Sequence, residues 1–177
     1  MEMTKSMISA NLRESFLEAM SRTATTVSVV TTDGPGGRVG TTVSAMSSVS
    51  ADTPSPSMLV CIHHKSPTAA AILRNGVFCI NVLREDQSAI SDAFAGRTGQ
   101  ADKFSGLRCI AGSTGAPRLP DPLVAFDCRL TDAERVGTHF VLFAGVEDIA
   151  IADAGTPLIY ANRAYGRSSL FRDEGRL

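Results

Sequence analysis

Residues 25–46 read TTVSVVTTDGPGGRVGTTVSAM, two β-branched runs either side of a glycine-rich turn. Thr25 to Thr32 favours a strand because branched side chains fit a pleated, half-buried surface. Asp33-Gly34-Pro35-Gly36-Gly37 supplies turn residues, and Val39 to Met46 returns as a second strand, so the stretch predicts a β-hairpin. Further strands are expected at Met58–His63, Val77–Leu83, Leu123–Leu130 and Thr138–Ile149, the last two joined by a turn at Gly137. Helical signals are fewer. NLRESFLEAMSR, with Asn11 as N-cap and Glu14 closing a capping box, predicts an amphipathic helix packed on the core. Lys65-Ser66-Pro67-Thr68 opens a short helix through Leu73 that Asn75-Gly76 stops, and Asp86–Phe94 predicts another, leading into a polar loop over Ala95–Ala101. Cys109–Asp121 reads as loop, and the segment after Gly166 as a fraying tail. Strands that follow one another through hairpins predict a mainly β protein with a few helices, an antiparallel closed or split β-barrel rather than a doubly wound sheet.

A chain of 177 residues without internal repeats suits one domain, expected over 11–167 with terminal extensions at 1–10 and 168–177. Seventeen basic against eighteen acidic residues leave no global field to draw nucleic acid or anionic lipid, and the absence of tryptophan argues against base stacking. No run approaches a membrane span, and MEMTKSMISANLRESF lacks a secretory apolar stretch. Cys61, Cys79, Cys109 and Cys128 form no close pair, so a zinc ribbon or dithiol redox motif is not expected, and a reducing cytoplasm is the simplest setting. His63 and Cys61 would share a strand face that a metal could use, but two histidines ending a strand beside solvent is the favoured reading, and no metal is expected.

No phosphate loop, dinucleotide fingerprint or nucleophile elbow is present. Three weaker features remain. Thr41 to Ser50 is dense in hydroxyls, suited to reading the polar edge of a planar heterocycle but also to a solvated edge strand. Lys65, Ser66 and Thr68 at a helix start suit an anion, or only a cap. His139 leads an apolar strand, and Tyr165 stands near the C-terminus; each could border a pocket or be structural.

In collinear order, FLEAMSRTATTVSVVTT, VGTTVSAMSSVS, LVCIHHKSPTAAAIL, VFCINVLREDQ, DAFAG, DKF, VGTHFVLFAGVEDI and PLIYANRAYG resemble the flavin reductase-like family, the small reductase components of two-component flavin-dependent monooxygenases. The resemblance runs from about Phe16 to Arg167. It implies a split-barrel fold, usually a homodimer, and hydride transfer from NADH or NADPH to FAD or FMN. Reduced flavin then serves a separate monooxygenase acting on an aromatic compound. FAD is the first expectation with FMN as the second, and NADH is favoured over NADPH. Carried over by position, Thr41, Thr42, Val43 and Ser44 flank the flavin ring, with Ser48 and Ser50 adjoining. Lys65, Ser66 and Thr68 lie near its phosphate, and Phe94, Ala95, Gly96, Lys103 and Phe104 form a cofactor-touching loop. His139 is the expected catalytic residue, placed with Tyr165 at the nicotinamide. Ser50-Ala51-Asp52-Thr53-Pro54-Ser55-Pro56 departs from the family's Ser-x-Asp-Pro-Pro, a longer loop at that rim. Hydride transfer between flat rings needs positioning more than a nucleophile, which suits a site of hydroxyls, backbone and one histidine. A non-catalytic flavin- or haem-binding barrel is the alternative.

Overall fold

The computed structural model describes residues 2–52 and 55–169, so Met1, Thr53, Pro54 and the stretch from Leu170 onward lie outside the described residues. Its helices are α1 (Glu2–Arg22), α2 (Pro67–Asn75) and α3 (Ser88–Phe94). Its strands are β1 (Thr25–Thr26), β2 (Ser28–Thr32), β3 (Val39–Val43), β4 (Met46–Ser50), β5 (Ser57–His63) and β6 (Val77–Val82). They continue with β7 (Ile110–Ala111), β8 (Pro117–Arg118), β9 (Val124–Val136), β10 (His139–Ile151), β11 (Leu158–Ala161) and β12 (Ala164–Arg167).

Seven strands form one antiparallel sheet in the order β3-β2-β6-β9-β10-β5-β4. Its two edge strands, β3 and β4, are consecutive in the chain and joined by only Ser44 and Ala45. Two residues span well under 15 Å, so the sheet's edges must meet there, and the sheet curls into a barrel that is split beyond that corner. The predicted hairpin holds, with Val30 opposite Thr41 and Ser28 opposite Val43. Each predicted strand divides, however. The chain bends at Val27, giving β1 to a second sheet with β11 and β12, and bends again at the Ser44–Ala45 corner. Curvature, which branched-residue content does not encode, sets both breaks.

Inside the barrel, Val30, Val60, Ile62, Phe78, Ile80 and Leu142 are fully buried. Each contributes about 1.5–3 kcal/mol by leaving water. A second cluster around Val29, Leu83, Phe94 and Leu158 fills the space outside the barrel wall. Lying between the two, β2 and β6 are buried at every position. The buried amide of Asn81 is satisfied by Val29 O (3.1 Å) and Leu119 N (2.8 Å).

Ser66 caps α2 by accepting from Thr68 N, Pro67 stands in its first turn, and Gly76 closes it in the left-handed region at φ 70°. The expectation for α1 is corrected in two ways. Asn11 sits in mid-helix and caps nothing, because the residues before it contain no glycine or proline and continue the helix to Glu2. Leu12, Phe16, Leu17 and Met20 do not pack on the core: they are 70%, 61%, 46% and 48% exposed. Periodicity marks an apolar face but not what covers it. The C-terminal turn of α1 instead touches the β11–β12 turn, through Asn162 N to Ser21 O (2.5 Å) and an Arg163–Glu18 ion pair (3.0 Å).

Candidate active site

Strand β3 is an edge of the barrel sheet, so half of its backbone donors and acceptors face away from β2. Three contiguous cavities follow it. One of about 240 Å³ lies at Val39 and Gly40, one of about 250 Å³ runs along Thr41 to Ala45, and one of about 180 Å³ opens at Thr42 to Ser44. Ser66 lines the first two, while Thr42, Val43 and Ser44 line the last two.

The first cavity bears charge on a largely apolar wall. Arg38, Ser66, Thr68, Asp102, Lys103 and Phe104 face it. The α2 amides contribute less than the sequence suggested. Thr68 N donates to Ser66 Oγ (3.3 Å), and Ala69 N and Ala70 N both reach Ser66 O, so the cap consumes the donors an anion would need. Lys103 Nζ donates to Phe94 O (2.8 Å) and lies 3.5 Å from Gly40 O, and burial lowers its pKa. Arg38 stacks over the Phe104 ring at 4.5 Å, and Phe104 meets Phe94 edge-on at 5.0 Å.

The middle cavity carries the histidines. His139 starts β10 directly opposite His63 on β5, with the rings edge-to-face at 5.1 Å, and Cys61 lines the same wall. Thr138 Oγ1 and His139 Nδ1 share a hydrogen bond of 3.0 Å. Lys65 N donates to His63 Nδ1 (3.1 Å), so the neutral ring carries its proton on Nε2. His64 Nδ1 donates to Thr138 O (3.0 Å). Burial, then the charges of Arg135, His63, Lys65 and His139, hold the His64 pKa below its ordinary value. The unfolded chain therefore takes up this proton first. Stability from neutral His64 is complete above about pH 6.5 and is lost as pH falls below it. The melting temperature is expected to drop between pH 7 and 5, and His64→Gln to flatten that slope; equal slopes in the two proteins would refute this.

In the third cavity, Tyr165 Oη lies 2.8 Å from both Ser91 Oγ and Asp92 Oδ1. Arg97 pairs with Asp92 (2.8 Å), and these two contacts hold the Asp92 carboxyl below its usual range, Tyr165 acting first. Thr42 Oγ1 donates to Ser91 O (2.7 Å), tying β3 to α3.

The structure thus gathers Thr41, Thr42, Val43, Ser44, Ser66, Thr68, Ala95, Lys103, Phe104, His139 and Tyr165 along one cleft. Ser48 and Ser50 stand on the opposite edge strand, and they, Lys65, Phe94 and Gly96 line none of these cavities. Phe94 is wholly buried behind the cleft and supports it. Arg38, His63, Asp102 and Arg97 line the cleft without having been singled out as cofactor contacts. Arg38, a cation directly after a glycine turn, was the one with a readable signal.

The donor set fits a flavin: an edge strand of backbone and hydroxyls, apolar Val43 and Phe104, and at one end the cations Arg38 and Lys103, whereas Arg97 at the other is paired with Asp92. Residues 20–169 match the family model described as "Flavin reductase like domain". The chain is 47% identical over 150 residues to "FMN reductase (NADH) RutF 2" of Methylorubrum extorquens, covering 85% of this chain and 86% of that protein. It is 40% identical over 158 residues to "FMN reductase (NADH) RutF" of Pseudomonas syringae pv. syringae, covering 89% and 88%. Among solved structures, a nitrilotriacetate monooxygenase component B homolog from Mycobacterium thermoresistibile superposes with TM-score 0.82 at 27% identity, over 96% of this chain and 97% of that one. BorF, the flavin reductase component of a bacterial two-component tryptophan halogenase, gives 0.79 at 28%, over 88% and 97%. A split barrel of this topology, a cleft of this chemistry and a family match across 20–169 agree: the chain belongs to the flavin reductase-like family.

Proposed function

We propose that this flavin reductase oxidises NADH and reduces FMN, releasing reduced flavin to a separate flavin-dependent oxygenase. The cleft along β3 carries the reading, because it offers ring-reading hydroxyls, an anion end and an imidazole on one continuous surface. FMN replaces FAD as the first choice, supported by the names of the curated relatives, which also support NADH. An aromatic substrate for the oxygenase is implied by the resemblance of the sequence. The similar solved structures are divided, one being the reductase component of a tryptophan halogenase and another a homolog of a component of nitrilotriacetate monooxygenase, whose named substrate is aliphatic. We keep 11–167 as the catalytic domain and the cytoplasm as its compartment; among the described residues no helix is long and apolar enough to cross a membrane. The exposed apolar face of α1 supports a homodimer, which light scattering would test.

A bound flavin supplies the two-electron acceptor. The chain supplies position. Thr41 to Ser44 present backbone and hydroxyls to the ring edge, and Ser66 with its cationic neighbours holds the phosphate. His139, fixed by Thr138 and braced by His63, orients the nicotinamide carboxamide, and Tyr165 closes the far side. No side chain needs to form a covalent bond, since a hydride passes between the two rings and solvent provides the balancing proton.

Anaerobic NADH oxidation by purified protein, with FMN, FAD or neither, tests the reading. Many turnovers that depend on FMN are expected. Retention of flavin or haem with no oxidation of NADH or NADPH would favour a binding protein on the same barrel.

A further inference from the structure

Arg38 and Lys103 are the cations lining the anion-end cavity, and neither forms an ion pair among the described residues. Lys103 is turned to the backbone, donating to Phe94 O. The position of Arg38 is built. The turn before it is pinned by Asn75, the last residue of α2. The Asn75 amide donates to Thr32 Oγ1 (2.9 Å) and Gly37 O (3.1 Å) and accepts from Gly36 N (2.5 Å). The guanidinium then lies over Phe104 at 4.5 Å. The ring holds the guanidinium by a cation–π contact, Cys109 takes part of its hydrogen-bonding capacity, and the remaining N–H groups can bind an anion.

The rest of the cavity sharpens the assignment. The α2 amides are consumed by Ser66. Asp102 brings a negative charge to the same wall, with Oδ1 accepting from Phe104 N (2.9 Å). A phosphate here therefore depends on the Ser66 hydroxyl and on Arg38 for net attraction, against Asp102.

We propose that Arg38 is the specificity-determining residue of the reductase: it reads the terminal phosphate monoester and so selects FMN over riboflavin and FAD. The proposal rests on the flavin-reductase reading of this cleft. A monoester carries about 1.5–2 negative charges at neutral pH. Each phosphate within a pyrophosphate carries about one and continues to a second substituent, and riboflavin carries none. A single stacked guanidinium therefore separates the three by charge, in the order FMN, FAD, riboflavin.

The test is steady-state NADH oxidation with FMN, FAD and riboflavin by wild type, Arg38→Gln, Arg38→Lys and Asp102→Asn. Arg38→Gln should raise KM for FMN about tenfold while KM for riboflavin stays within about twofold, so riboflavin doubles as the folding control. Arg38→Lys should recover part of the loss. Asp102→Asn, which keeps the acceptor for Phe104 N, should lower KM for FMN. Added salt should raise KM for FMN in the wild type and much less in Arg38→Gln. An unchanged FMN-to-riboflavin ratio in Arg38→Gln, or equal losses with both, would overturn the proposal while leaving the reductase intact. If wild type turned over no flavin, the functional reading would fail instead. Binding of FMN and riboflavin, followed by flavin fluorescence, would then still decide Arg38 by the same ratio.

Discussion

His139→Ala is expected to lower kcat/KM for NADH about 5–150-fold, while KM for FMN moves much less. The ring starts β10 with Nδ1 held by Thr138 and stands edge-on to His63, on the cavity that runs along Thr41 to Ser44. Losing one positioning hydrogen bond costs about 1–3 kcal/mol, which is the stated range in rate. His139 is exposed at a strand end, so its removal leaves the core intact, and the melting temperature should change little. That separates the result from partial unfolding. His139→Asn, which retains a donor on a shorter arm, should recover part of the rate. Unchanged steady-state constants in His139→Ala would remove this residue from the site.

What the sequence made legible follows from how local each feature is. The β2–β3 hairpin, the Ser66 cap and the Gly76 stop of α2 were readable because a few neighbouring residues determine them. The positions of His139 and Thr41 to Ser44 came through resemblance, and the structure brings them to one cavity. Three things were not local. The Ser44–Ala45 corner depends on barrel closure, which joins strands at opposite edges of one sheet. The short strands β7, β8, β11 and β12 pair only with one another or with β1, and carry too few residues for a pattern. Phe94 and Ala95 are neighbours in sequence, yet one is buried behind the cleft and the other lines it. Proximity to a site in sequence does not show on which side of a wall a side chain falls. The helix start read in sequence as an anion site or only a cap, because Lys65, Ser66 and Thr68 suit both. In the fold Ser66 Oγ accepts from the Thr68 amide, which leaves only the Ser66 hydroxyl proton for a ligand, and the cations on this cavity are Arg38, across a turn from β2, and Lys103.

Gly40→Ala should destabilise the fold and loosen the anion end of the cleft together. A Cβ at position 40 would stand 2.7 Å and 2.9 Å from two ring carbons of Phe94 and 3.0 Å from Val30 O. Val30 O belongs to the neighbouring strand and cannot give way without separating β3 from β2, so the Phe94 ring must move. That ring is fully buried, stacks edge-on against Phe104, and its own carbonyl receives Lys103. Overpacking of this kind costs about 1–3 kcal/mol. Phe94→Ala empties the same space from the other side and should cost about 3–5 kcal/mol. At this chain length each kcal/mol corresponds to about 2–4 °C in melting temperature. The two changes are complementary, since the methyl that Gly40→Ala adds enters the volume the ring vacates. The double variant should therefore lose less than the sum, with a coupling of at least about 0.5 kcal/mol. Denaturant midpoints for the four proteins measure it, and strict additivity would show that Gly40 and Phe94 are not in contact as described. Gly40→Ala should also raise KM for FMN, through Phe104 and the Arg38 stacked on it, while the rate at saturating FMN, governed from the His139 end, falls less.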